Sequence, residues 1–181
     1  MVMISPLPPE KPGESTYTAN LIQEITKRNN IRIEAIAGLH ADNRLDNEQV
    51  STHAIWNGRS LSYPFTLLSK IRRLRPHIVH VQFGPHGKVY GGVFGEPMLL
   101  LLLLLRISGI TTTMTLHSTW MPAQVRKRIE QHKHFKLFSI LAIPFYILFM
   151  KLLNLGVSVL QLSTVRPNSL LREAFLASYG Y

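Results

Sequence analysis

Short apolar runs alternate along this chain with longer stretches in which apolar residues recur every three or four positions. Residues 2–4 read as a first strand that empties into a Pro-rich loop, 6–13. From Ser15 the spacing turns helical, with Ala19, Leu21, Ile22 and Ile25 on one side and Gln23, Glu24, Lys27 and Arg28 on the other. Ser15 or Thr16 can cap that helix, and Asn29 and Asn30 end it. Ile31, Ile33, Ala35 and Ala37 alternate with Arg32, Glu34 and Ile36, which predicts a strand buried chiefly on one face and closed by Gly38. A polar stretch over 40–52 leads to a weak strand at 53–56 and a helix at 63–74. The strongest strand signal is 77–83, rich in β-branched residues and preceded by Pro76.

Five glycines from Gly84 to Gly95, together with Pro85 and His86, predict a flexible loop of functional character. Pro97 suits the first turn of a helix that continues through the leucines of 99–105. A second β-rich strand, 111–116, ends in His117, Ser118, Thr119 and Trp120. Helical material follows at 122–132, then a mostly apolar segment at 135–153, a strand at 157–162 and a final helix at 169–179 capped by Asn168. Strands separated by helices of this length predict an α/β fold: a Rossmann-like parallel sheet with helices on both faces, in one domain over 1–181.

Composition narrows the classes. With 46% hydrophobic and 17% charged residues the chain has the material for a core and lacks the composition of a disordered one. A formal net charge of +10 favours an anionic partner. The basic residues fall in short groups (Arg72, Arg73 and Arg75; Arg126, Lys127 and Arg128; Lys133 and Lys136), not in one stripe with interleaved aromatics, which argues against nucleic acid. Many of them also read as ordinary solvated helix faces. The lack of cysteine excludes disulfides, thiolate catalysis and cysteine-ligated metals. The first residues have prolines where a secretory signal needs an apolar helix, so a cytoplasmic location is expected. Segment 98–105 is too short to span a bilayer, and 135–155 is interrupted or bounded by Lys136, Pro144, Lys151 and Asn154. The latter reads as a buried helix or as one lying peripherally on the inner face of the cell membrane.

Ligands of parallel α/β sheets collect outside the carboxyl ends of the strands. Three stretches are expected at that edge: 8–17, 82–92 and 117–120. Gly13 lies just before a helix N-terminus, where a phosphate or sugar can approach the backbone, although a plain capped turn has the same composition. His117, at a strand tip, can exchange a proton or hold a sugar hydroxyl, and equally can be a satisfied structural histidine; Gln82 and His86 carry the same ambiguity. GxGxxG, Walker, HExxH and GxSxG patterns are all missing.

In this order, PPEKPGESTYTANLIQEI, RPHIVHVQFGPHG, TTTMTLHSTW and SVLQLSTVRPNSLLREAFLASYGY resemble segments of the N-terminal, acceptor-side domain of family-4 glycosyltransferases, which have two facing Rossmann-like domains (the GT-B architecture). The resemblance covers nearly the whole chain. It implies retaining transfer of a sugar from a nucleotide-diphosphate sugar, used as co-substrate with no other cofactor and no obligatory metal, to a glycan or lipid-linked acceptor. By resemblance His117 is the catalytic residue; Gln82, His86, Ser118 and the aromatic Tyr17 line the acceptor side; Gly13 and Glu14 form the loop near the donor phosphates. Glu14 departs from the family's usual glycine or small residue, and a carboxylate beside a diphosphate is unfavourable unless it turns away or meets a hydroxyl. The motifs of the C-terminal donor-binding domain are not among the 181 residues, so a separate or missing donor half is expected as partner. The alternative is a noncatalytic scaffold or membrane-associated subunit beside a separate catalytic domain. A dehydrogenase is disfavoured, because Gly38 and Leu39 stand where an acidic residue would follow the second strand.

Overall fold

The computed structural model describes residues 1–10, 13–28, 30–118, 122–131 and 141–162. The β-branched runs pair in parallel: β1 (Val2–Ile4), β2 (Ile33–Gly38), β3 (Val50–Trp56), β4 (Val79–Phe83), β5 (Thr112–Leu116) and β6 (Val159–Leu162). They lie in the order β3-β2-β1-β4-β5-β6, so the direction of strand addition reverses between β1 and β4. In a doubly wound sheet the connections leave to opposite sides at such a reversal, which opens a crevice at the carboxyl ends of the two strands. The fold is therefore a Rossmann-like α/β sheet.

The helices are α1 (Gly13–Thr26), α2 (Tyr63–Leu74), the single turn α3 (Gly87–Tyr90), α4 (Glu96–Ile107), α5 (Pro122–Gln131) and α6 (Ala142–Gly156). Alternation along the strands divides the core in two. Val2, Ile4, Val79, Val81, Phe83, Met114 and Leu116 share one face with Leu67 and Ile71 of α2, Leu101 and Leu105 of α4, and Phe149 and Leu153 of α6. Met3, Ile33, Ala35 and Ala37 meet Ile22 of α1 on the other. Helices thus cover both faces. Two prolines punctuate the larger layer: Pro64 enters the first turn of α2, and Arg75 (φ 45°, ψ 54°) ends it with its N–H on the Ile71 carbonyl, immediately before Pro76.

Several expectations are corrected. Helix α1 begins at Gly13, so Ser15 is not its cap; the Ser15 hydroxyl is buried inside the first turn without a partner. Strand β2 is buried on both faces, because α1 covers one and the α2 layer the other. Strand β3 begins at Val50, three residues earlier than its weak sequence signal, because it pairs with β2 from Ile33 onward. The glycine-rich loop contains the turn α3. Helix α6 buries Tyr146, Phe149, Met150 and Leu153 and leaves Phe145, Leu148 and Leu155 exposed, so it is only half covered. Among the described residues no helix is long and apolar enough to cross a membrane. Thr119 and Trp120, residues 132–140 and the predicted helix at 169–179 lie outside the described residues.

Candidate functional site

Strands β4 and β5 carry polar residues where period-two alternation brings them to one face. His80 pairs in register with Thr113, and Gln82 with Thr115. Their side chains form a single chain of hydrogen bonds. The His117 ring donates from Nε2 to Gln82 Oε1 at 2.5 Å, and the Gln82 amide donates to His80 Nε2 at 2.9 Å. Thr115 donates to the same His80 nitrogen at 3.2 Å, which makes His80 Nδ1 the protonated nitrogen that donates to Thr113 Oγ1 at 2.7 Å. One assignment satisfies every member: with Oε1 an obligate acceptor, His117 carries its proton on Nε2 and its lone pair on Nδ1. Its own backbone N–H is held by the Phe83 carbonyl at 2.8 Å.

From the far side of the crevice, Tyr17 meets the His117 ring edge-on, with centroids 4.8 Å apart and planes at 76°. The strand tip and the first turns of α1 therefore open on one rim. Tyr17 is exposed, His117 and Ser118 are half-buried, and the Ser118 hydroxyl has no partner among the described residues. Gln82 is fully buried, and its side chain reaches toward the rim through its hydrogen bond with His117. Glu14 is 5% exposed: its carboxylate folds inward over Gly84, where a Cβ would collide with it, and His86 Nε2 stands 3.6 Å away. Gly13, at the N-terminus of α1, faces open space.

Burial lowers the pKa of His117 against the opposing pull of Glu14, and burial followed by the charge of His117 lowers that of His80. Both imidazoles stay neutral to lower pH than in the unfolded chain, where histidine titrates near about 6.5. The unfolded state then binds more protons below that pH, so the stability they confer is complete above it and is lost as pH falls through the folded-state values. Thermal melts should show a lower midpoint at about pH 5.5 than at about pH 7.5, with the difference reduced in His80→Asn; an unchanged slope in that variant would remove His80 as the cause.

Comparison with protein-family models, curated proteins and solved structures finds no match in any of the three. The site's chemistry therefore rests on its own geometry. Among the described residues no group of three His, Asp or Glu side chains is placed to hold a metal. The sequence reading overlooked His80, Thr113 and Thr115, although polar residues two apart in buried strands were the signal. It also overlooked Tyr90, whose hydroxyl donates to the Gln82 carbonyl at 2.8 Å and so braces the strand behind the network.

Proposed function

We propose that this chain is the acceptor-side half of a retaining glycosyltransferase that takes its sugar from a nucleotide-diphosphate sugar and delivers it to a glycan or lipid-linked acceptor. The single observation behind this reading is His117: one imidazole, with its tautomer set by Gln82 and its edge against Tyr17, joins β5, β4 and α1 around the crevice at the strand-order reversal. The resemblance of the four sequence segments to family-4 glycosyltransferases supports the choice of reaction. In this reading His117 Nδ1 receives a sugar hydroxyl in the cleft, and Tyr17 and Ser118 flank the acceptor. His86 stands beside it, and the open backbone at Gly13 faces the donor phosphates. Glu14 is buried against Gly84 beside His86, and that imidazole stands between its carboxylate and the rim in this reading. No metal is required, and the donor is a co-substrate gripped by a second domain.

A second reading, a scaffold or subunit on the cytoplasmic membrane face, is favoured by a separate observation. Phe65, Leu100, Ile107, Leu148 and Leu155 are exposed on α2, α4 and α6, the layer that also carries Arg72, Arg73, Arg106 and Lys151.

The test is to express the chain with the coding sequence that follows its own and to supply a panel of labelled nucleotide-diphosphate sugars. Labelled product that requires both halves supports the enzyme. A stable pair that transfers from no donor discards it in favour of the scaffold, and full transfer by residues 1–181 alone refutes the dependence on a second half.

A further inference from the structure

Farther along the same rim, at the carboxyl ends of β2 and β3, lies a cavity of about 470 Å³ that the His117 site does not use. Trp56, the last residue of β3, lines it; the side chain is 2% exposed, and among the described residues its indole N–H has no hydrogen-bond partner. Arg59 and Lys88 also line the cavity, both exposed, and neither forms an ion pair among the described residues. Facing them are Glu10, from the loop after β1, and His40, just past β2. Four separate segments thus converge on one space, with two permanent cations and a titratable imidazole against one carboxylate.

Close backbone approach builds this arrangement. A Cβ on Gly58 would collide with the Val89 carbonyl oxygen, so only glycine lets the turn bearing Arg59 close against the segment bearing Lys88. Likewise a Cβ on Gly38 would strike the Glu10 carboxylate, which is seated over the end of β2. Burial raises the Glu10 pKa and the neighbouring His40 lowers it in part.

We propose that this cavity binds a hexose-sized polyol bearing a phosphoryl group, with phosphoryl oxygens on Arg59 and Lys88 and hydroxyls on Glu10, over the wall that Trp56 provides. The volume lies within the roughly 300–1,000 Å³ of small-ligand pockets, which suits a single sugar better than a polymer. Guanidinium and ammonium supply charge-assisted donors to a phosphate, and the carboxylate accepts from hydroxyls, so the two ends of the ligand are told apart. The binding of this ligand does not rest on the transferase reading.

The experiment is calorimetric titration of the full chain, without any donor, against a panel of hexose phosphates, the matching free hexoses and inorganic phosphate. At least one hexose phosphate should bind about tenfold or more tightly than both inorganic phosphate and its own free sugar. Arg59→Ala and Lys88→Ala, at exposed positions, should each weaken that binding about tenfold without moving the melting temperature. Glu10→Gln should weaken the hexose phosphate and leave inorganic phosphate bound no less well. Equal affinity for inorganic phosphate and the sugar phosphate, or wild-type binding in both cation variants, overturns the proposal. Binding that passes these tests while no sugar transfer is found with any donor would keep this pocket and discard the transferase; transfer without binding would do the reverse.

Discussion

Replacing His117 with alanine should lower sugar transfer, measured with the donor half present, by about 10²-fold or more, the usual contribution of a positioned acid–base or hydrogen-bonding imidazole. The ring is held by Gln82 at 2.5 Å and lies T-shaped against Tyr17. Its removal also strips the buried Gln82 oxygen of its donor, at a cost of about 1–3 kcal/mol in stability. A loss of rate alone would therefore not separate chemistry from damage. Gln82→Leu makes the separation: it keeps the imidazole but releases its orientation, so the rate should fall less than in His117→Ala while stability falls comparably. The acid limb of the wild-type pH–rate profile adds a readout that a structural role would not give. Because burial lowers the His117 pKa, that limb should lie below the ordinary histidine range. Unchanged kcat/KM in folded His117→Ala would sink the assignment.

The largest effect on stability is expected at Tyr90. Its side chain is fully buried, with ring centroids 4.9 Å from Trp56 and 4.7 Å from Phe83. The hydroxyl donates to the Gln82 carbonyl at 2.8 Å, and the Tyr90 carbonyl accepts from the Tyr63 hydroxyl at 2.9 Å. Tyr90→Ala removes a whole ring from a packed centre and should cost about 3–5 kcal/mol in chemical denaturation, as large aromatic truncations do. Tyr90→Phe keeps the ring and removes only the hydrogen bond, for about 1 kcal/mol. The ratio of the two is the informative quantity. Tyr90 connects the aromatic wall that includes Trp56 to the strand that carries Gln82, so the alanine variant should also weaken ligand binding in the cavity beside β3. A Tyr90→Ala chain within about 1 kcal/mol of wild type would show that the turn α3 is not anchored as described.

Much of the layout was legible from local pattern. Period-two and period-three-to-four spacing located β1, α2, β4 and β5 to within a residue or two, since those elements bury one continuous face and the hydrophobic effect selects for it. Pro76 and Pro97 marked boundaries because proline constrains its neighbours wherever it stands. His117 and Tyr17 were visible as strand-tip and helix-start residues, but their contact was not, because 100 positions separate them and only the order β1-β4-β5 brings them together.

Other features depended entirely on assembly. The sequence at Val50 is too polar around it to announce a strand, and pairing with Ile33 decides it. The burial of the Glu14 carboxylate follows from the bare backbone of Gly84, 70 positions away, which leaves room for it. His80 stands as one polar residue in an apolar run; its partners Gln82, Thr113 and Thr115 come from two strands whose register no local signal encodes. By itself the sequence determined which segments form strands and helices and which residue types stand at their ends, because those follow from interactions between near neighbours. Only the tertiary structure decided which side chains turn inward, which tautomer each histidine takes and which ends meet. Those outcomes depend on strand order and register, where residues remote in the chain compete for the same space and the same hydrogen bonds.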